Sequence, residues 1–576
     1  MGPVADGTVR EVEGRSRDFV LSEPSRQLLD QVRAELSTAF TVTGGDRPAR
    51  ARRTWLDTFD WRLYRAGLTL QQVTSWNATE LVLTAQDGAQ LTAVIGGTTG
   101  MPALPTSQPT SRPPARLSSR TPTRAAGWPA RIEALPDGAL RQRLAPVIAN
   151  RALLAVATAT SRSSELRLLN PDQKTVARLH VDTLALPGHD PLPARLSVSE
   201  VRGYQPAARR ARRLLAATPG VAASHQACLD TALEAAGRHA PDYTGKVDVK
   251  LRPAMPGREA VSALLLQQLD TLEANVDGVL HDTDSEFLHD LRIAVRRTRS
   301  ALKLLGDQLP GELTLRFASE FRWLGDLTTP LRDLDVQLEE LPSRAAGLVA
   351  AQPADLEPFR GYLTERRTAA RRALNRGLRS DRFATVLGDW RKALLVPRAN
   401  RRGPAGPRAE DLAADRTRRA YHKVIRIGAG ITEDSPAESL HTLRKRCKEL
   451  RYVLEFFATL HHPQAQRAMV SDLKRLQDCL GEFQDSEVQQ HEIQSLAAAM
   501  LARQAAPAPT LLAMGEMAAQ LGLRQQQARA EFAGRFAAFA GSTGRRRLDT
   551  LTAAAETAPR PRRAPRAPRA SARIRA

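Results

Sequence analysis

Two stretches of the chain, HDLRIAVRRTRSALKLL from His289 and HTLRKRCKELRYVLEFF from His441, carry the same order of apolar and polar positions 152 residues apart. A helix turns about 100° per residue. At that step Leu291, Val295, Thr298, Leu302 and Leu305 share one face. His289, Arg292, Arg296, Arg299 and Lys303 share a separate stripe roughly 80° wide. The second stretch does the same, with His441, Arg444, Lys448 and Arg451 on one side and Leu443, Cys447, Leu450, Leu454 and Phe457 on the other. Both patterns predict amphipathic helices with an apolar side that packs and a cationic side that stays open.

The register continues without a gap into FRWLGDLTTPLRDLDV and LKRLQDCLGEFQDSEV, where Arg322 matches Lys474, Asp326 matches Asp478, Asp333 matches Asp485 and Asp335 matches Glu487. A constant register over this span implies two copies of one helical unit. Two copies are too few for a solenoid, so they are expected to pack on each other about a pseudo-two-fold axis. Helical periodicity runs from about 257 to 545, with repeats at about 257–395 and 410–545 divided by the Gly/Pro/Arg-rich VPRANRRGPAGPRAED. Residues 1–205 read instead as strands: TVREVEGR, ELVLTAQ, TVARLHVDTLAL and ARLSVSEV show partial two-residue alternation, interrupted by a Pro/Ser/Thr-rich loop at MPALPTSQPTSRPPARLSSRTPT. Residues 206–256 read as a basic helical linker, and 546–576 as an Arg/Pro-rich disordered tail. The predicted fold class is α+β and multidomain, an antiparallel sheet domain followed by an all-α domain of two pseudo-symmetric repeats.

Composition sharpens this picture. The chain of 576 residues holds 84 Lys and Arg against 62 Asp and Glu, a formal net charge of +22. Such a charge points to a polyanionic partner, and the excess of arginine suits bidentate phosphate contacts. Residues 545–576 alone hold ten arginines and two acids. Three cysteines, Cys228, Cys447 and Cys479, fit neither a disulfide framework nor a metal site. The last two lie among apolar helix positions, as core thiols do in a reducing compartment. No apolar run marks a signal peptide or approaches 18 residues, so a cytoplasmic protein without a membrane partner is expected.

The two stripes hold no acid from His289 to Lys303, and Glu455 is the first in the second copy. An exposed helix face normally mixes charge signs. A stripe of one sign repels itself unless an anion or facing carboxylates neutralise it, and the candidates here are Asp326, Asp333, Asp335, Asp478, Asp485 and Glu487. Two stripes related by a two-fold axis would form one basic cleft. Its candidate binding residues are His289, Arg292, Arg296, Arg299, Lys303 and Arg322 from the first copy, and His441, Arg444, Lys448, Arg451 and Lys474 from the second.

These blocks, together with the LRDLDV and FQDSEV endings, resemble the CHAD domain over about 257–545. The resemblance implies helical repeats that bind inorganic polyphosphate along a basic, histidine-containing surface. The first half resembles the CYTH domain, carried by EVEGR and TWLDTFDWRLYRAGLTL, which implies an antiparallel eight-stranded tunnel barrel. In that family Glu11 and Glu13 would hold Mg²⁺ or Mn²⁺ beside Arg15. The chain departs from the pattern: Arg15 replaces a lysine, Gln71 and Gln72 replace arginines, and Ser197 and Ser199 stand where the closing strand carries glutamates. Asp182 is retained. The departures predict a degenerate tunnel that keeps at most anion contacts through Arg15, Arg62, Arg65 or Arg162. The function read from the sequence is polyphosphate binding without catalysis or a required cofactor, in the cytoplasm or at polyphosphate granules. Two alternatives are a metal-dependent triphosphatase and a nonspecific nucleic-acid binder using the basic tail. Oligomeric state leaves no trace in the sequence.

Overall fold

A computed structural model describes residues 18–553 except 24, 46–47, 87–88, 98–126, 225 and 396–405. Glu11, Glu13, Arg15, the Pro/Ser/Thr-rich loop and the tail from 554 onward therefore lie outside the described residues. The chain divides into two compact units, 1–246 with 274–290 and 247–273 with 291–576.

The first unit is an antiparallel sheet of β1 (Asp18–Leu21), β2 (Thr41–Gly44), β3 (Ala49–Asp57), β4 (Leu68–Thr74), β5 (Ala78–Ala85), β6 (Gln90–Gly97), β7 (Leu154–Leu169), β8 (Thr175–Ala185), β9 (Arg195–Glu200) and β10 (Val221–Ser224). The strand order is β10-β1-β9-β8-β7-β3-β4-β5-β6, with β2 on β7. Among the described residues this path is open rather than a closed eight-stranded barrel. The edge at β6 is met by a helix instead of another strand, a usual way to cover an edge: α3 (Ala139–Ile148) packs Leu140, Leu144 and Ile148 into the same core as Leu81, Leu83 and Leu91. Helices α1 (Arg26–Ser37) and α4 (Gln205–Ala217) cover another part of the sheet, burying Val32, Leu36, Ala211 and Leu215 against Leu168, Leu179 and Leu196. The short α2 (Arg62–Arg65) follows β3, and α5 (Cys228–Ala235) sets Leu229 and Leu233 against Trp55, Trp61 and Leu184.

The second unit is helical, and its helices keep the sequence register. Helix α6 (Gly257–His281), α7 (Ser285–Leu305) and α8 (Gly311–Ala346) begin 152 residues before α11 (Ala409–Ala429), α12 (Ala437–Phe456) and α13 (Pro463–Ala502) respectively. Helices α9 (Glu357–Leu378) and α10 (Asp381–Leu394) complete the first copy, and α14 (Ala508–Ala540) and α15 (Ser542–Thr552) the second. Helix α15 carries the helical region past residue 545, because Leu548 and Leu551 are buried in the second copy's core. All ten apolar positions read from the two stretches are buried: Leu291, Val295, Thr298, Leu302 and Leu305, then Leu443, Cys447, Leu450, Leu454 and Phe457. Burial pushes the Cys447 thiol up to about 12, and Cys479 is buried as well, so both behave as core side chains.

The pseudo-two-fold axis is visible in reciprocal contacts. Arg297 pairs with Glu455 at 3.3 Å and Lys303 with Glu449 at 2.7 Å. Position 297 corresponds to 449 and 303 to 455, so each pair is the image of the other. The amide of Gln489 donates to Glu340 at 3.3 Å, and Gln337 bonds Glu492, again as images. Such isologous pairing is what a two-fold relation requires. Leu334, Phe359, Ile493 and Met517 then join α8, α9, α13 and α14 in one shared core.

Leu291 and Leu443 are equivalent and fully buried at 0% exposure. Leu291→Ala and Leu443→Ala are each expected to cost about 2–5 kcal/mol, read as matched falls in the thermal unfolding midpoint. A large loss at one position and none at the other would show that the copies do not share a core plan.

Candidate anion-binding site

Helices α7, α8 and α12 enclose an open cleft of about 640 Å³ in the helical unit. Seven cations line it: Arg296, Arg299, Lys303 and Arg322 from the first copy, and Lys445, Arg446 and Lys448 from the second. Only one carboxylate, Glu449, stands among them. Leu302, Leu315, Ala318 and Tyr452 form its apolar part. The cations reach the cleft because the opposite faces of α7 and α12 are committed to the core, which leaves the stripes no other direction.

Arg296 and Lys448 are equivalent positions, and they face each other across the axis. Burial, then Arg444 and then Arg296 pull the Lys448 ammonium down to about 8, with Asp485 opposing. Arg292 is likewise lowered, first by burial and then by Arg296 and Arg332, against the pull of Asp333. Asp333 itself is raised, because burial outweighs the attraction of Arg292 and Arg332. Both members of that pair are thus held less comfortably than in water. A line of like charge, Arg332–Arg292–Arg296–Lys448–Arg444, crosses the axis; its ends pair with Glu339 at 3.6 Å and Asp485 at 2.9 Å, and Arg296 and Lys448 in its middle make no ion pair among the described residues.

Some of the charge is neutralised internally. Arg444 donates to Asp485 at 2.9 Å and to Gln484 at 3.0 Å. Arg451 donates to Glu455 at 2.7 Å and to Gln477 at 3.4 Å. Glu449 accepts from Lys303 and from Arg446, which hold it below the usual carboxylate range although burial alone would raise it. By contrast Arg296, Arg299, Arg322 and Lys448 make no ion pair among the described residues. Arg299 lies across Gly325, where a Cβ would come within 2.7 Å of its guanidinium. Gln477 occupies the equivalent place under Arg451. Lys474 is exposed on α13 outside the cleft lining, and His441 is half-buried on α12. His289 lies one turn before Arg292 on α7 and is not among the residues that line the cleft. Sequence reading missed Arg332, Lys445 and Arg446. Arg332 stands in the LRDLDV block, where only the acids drew attention; the other two lie beside the stripe rather than on it.

In the sheet unit two of the four candidate anion contacts, Arg62 and Arg65, are engaged elsewhere, and Arg15 lies outside the described residues. Arg62 donates to Asp60 at 3.0 Å, to Glu286 at 3.2 Å and to the Ile148 carbonyl at 2.7 Å, and Arg65 donates to the Tyr243 carbonyl at 3.0 Å. Both serve as clamps. Arg162 is exposed and stands directly opposite Arg50, on the other strand face from Ser161 and Ser163. Asp182 is ion-paired to Arg53 at 3.0 Å, and Arg53 also donates to Ser161 and Ser163. On the same side of the sheet, Trp55 and Leu184 are covered by α5. Gln72 accepts from the Trp128 indole rather than facing an anion. Among the described residues no three His, Cys, Asp or Glu side chains are grouped as metal ligands would be, and Glu11 and Glu13 lie outside those residues. The DT of TWLDTFDW has a structural use: the Asp57 carboxylate accepts the backbone amides of Thr58, Leu63 and Tyr64, and burial still raises it to about 6. Sequence reading also missed the buried Arg151, held by Asp284 at 3.3 Å and Asp290 at 2.6 Å.

Comparison with known proteins adds to this geometry. The family model of the CHAD domain matches residues 263–494. An uncharacterized protein of Mycobacterium tuberculosis is 30% identical over 258 residues, covering 43% of this chain and 47% of that protein. The chain thus spans about half the length of the curated relatives it matches. The crystal structure of the CHAD domain from the plant Ricinus communis is 27% identical, covers 51% of this chain and 96% of its own, and gives a TM-score of 0.43. A putative adenylyl cyclase from Hippeastrum, described as having a dominant triphosphatase activity, is 12% identical, covers 39% of this chain and 97% of its own, with a TM-score of 0.23.

The opposition of Arg296 and Lys448 has a direct readout. Amine-reactive labelling of Lys448 against pH, followed by mass spectrometry, is expected to reach half its maximum near pH 8. Arg296→Gln removes one of the charges that depress it and moves the midpoint up. A midpoint at the ordinary lysine value of about 10.4, or one indifferent to Arg296, would show that the two residues do not face each other.

Proposed function

Residues 263–494 form a CHAD domain, and from that premise we propose that this chain binds inorganic polyphosphate in the cleft between the two helical copies. The observation that carries the reading is the charge of the cleft: seven cations drawn from both copies and one carboxylate. A chain of phosphates supplies negative charge at short, regular intervals, so several cations are neutralised along one ligand. Arginines grip phosphate oxygens with two parallel N–H groups, and lysine serves as a point charge. A phosphate seated between Arg296 and Lys448 relieves their repulsion and raises the Lys448 ammonium from about 8. The cleft offers a nucleic acid little to stack on, since its one aromatic side chain, Tyr452, is 7% exposed. Nonspecific nucleic-acid contact is left to the arginine-rich segment after 553.

The sheet unit is proposed to take no part in hydrolysis. Among the described residues its one retained acid, Asp182, is tied to Arg53. A triphosphatase needs a metal held by free carboxylates and an oriented water. Among the described residues no helix is long and apolar enough to cross a membrane. Cytoplasmic or granule association is proposed on the ligand alone.

The test titrates polyphosphate into the full chain and into the Arg296→Gln/Lys448→Gln variant at two salt concentrations and several pH values. The double variant is expected to bind about tenfold more weakly or worse, about 1.4 kcal/mol, with unchanged helicity by circular dichroism. Wild-type affinity should fall steeply with salt, because each counterion released gains less entropy as the bulk salt concentration rises. The pH effect has a fixed sign: Lys448 is charged below about 8, so affinity is full there and declines as pH rises through that value. Equal binding by the variant, or displacement of polyphosphate by duplex DNA at matched charge, would overturn the reading.

A further inference from the structure

Helix α11 carries a second cationic face. Arg418, Arg419, His422, Lys423 and Arg426 line an open hollow of about 410 Å³ with a single acid, Asp415. Arg418, Arg419, His422 and Arg426 are exposed. The only ion pair within the group joins Arg419 to Asp415 at 2.8 Å. Arg418, His422 and Arg426 follow one another at four-residue steps, and the like charges of Arg419 and Lys423 likewise sit one turn apart. Such pairs destabilise a helix slightly rather than supporting it.

The first copy shows that the fold does not demand this face. At the equivalent positions of α6 stand Leu266, Gln267, Asp270, Thr271 and Ala274. Where α11 has His422, α6 has Asp270, which pairs with Arg391 at 2.7 Å. The same helix is thus built once without these side chains and once with four Lys or Arg and a histidine. The buried side of α11, including Leu412, Thr417, Tyr421 and Val424, anchors the helix, and among the described residues only Arg418 of the five adds a bond to another element, donating to the Thr552 carbonyl at 3.3 Å. Charge placed on one copy alone, outside the shared cleft and against local helix energetics, is what a ligand contact specific to that copy would leave.

We propose that the α11 face is a second phosphate-binding surface, which takes up a further segment of the same polyphosphate chain. The proposal rests on the reading of the cleft given above. Helix α11 packs beside α12, which supplies Lys445, Arg446 and Lys448 to the cleft. Axes of packed helices lie about 8–10 Å apart, more than a three-phosphate chain spans but well within reach of a long one. A long chain engages both surfaces, and the second engagement is intramolecular, so affinity rises with chain length through effective concentration rather than through new chemistry in the cleft. Short chains see the cleft alone.

The experiment compares tripolyphosphate with long-chain polyphosphate on the full protein. Its variants are Arg418→Gln/His422→Gln/Arg426→Gln, a milder Arg419→Gln/Lys423→Thr carrying the residues of the first copy, and the cleft pair Arg296→Gln/Lys448→Gln. The α11 triple variant is expected to lose about tenfold in affinity for the long chain, with a shallower salt slope, and to bind tripolyphosphate like wild type. The milder variant should lose less in the same direction. Thermal midpoints near wild type separate lost binding from lost folding, and the milder variant provides a readout if the triple one unfolds. Long-chain affinity unchanged in both α11 variants would overturn the proposal, as would an equal loss for both ligands or a loss confined to duplex DNA. If the cleft pair alone leaves long-chain binding intact, the cleft reading fails while the α11 surface stands. If wild type binds neither polymer, both fail.

Discussion

Arg296 and Lys448 stand at equivalent places in two copies of one helical unit, so the two-fold relation sets cation against cation. The helices cannot turn the charge away. Leu291, Val295 and Leu302 on one, and Leu443, Cys447 and Leu454 on the other, fix which face is buried, and the cationic faces follow. The copies are held by reciprocal contacts nearby, Arg297 with Glu455 and Lys303 with Glu449. Here the two copies have diverged: where the first has a cation, the second has a carboxylate. At 296 and 448 they have not diverged, and the repulsion remains. The attraction that joins the copies and the repulsion between their cations lie within a few helical turns of each other.

Much of the helical half is legible in the sequence because a repeat with constant register compares itself. The apolar faces, the cationic stripes, the shared starts of α6 and α11, and the two-fold relation all follow from one spacing. Harder to read was which cations would be spent internally. Arg444 and Arg451 lie on the stripe yet bond Asp485 and Glu455, whereas Arg446, off the stripe, lines the cleft while bonding Glu449 there. Long side chains on neighbouring helices decide this, and helical angles do not record their reach.

The sheet half is less legible, for a different reason. Its motif residues are used to hold structure. Asp57 accepts three backbone amides at α2, Arg62 clamps Asp60 and Glu286, and Asp182 is neutralised by Arg53. A sequence motif names residue types but does not say whether a carboxylate faces a ligand or a neighbouring backbone. The closed barrel implied by resemblance gives way, among the described residues, to an open path, because α3 meets the edge at β6. Helical and strand periodicities identify elements well, whereas closure depends on how the last strand finds its partner.

The central claim is that both copies build one anion site across the axis. A double-mutant cycle on Arg296→Gln and Lys448→Gln, with polyphosphate affinity and stoichiometry as the readouts, tests it most directly. The account predicts one binding event per chain. It also predicts that the second substitution costs measurably less once the first is present, because both residues serve the same phosphates. Strictly additive losses, or two independent sites each abolished by one substitution, would contradict it.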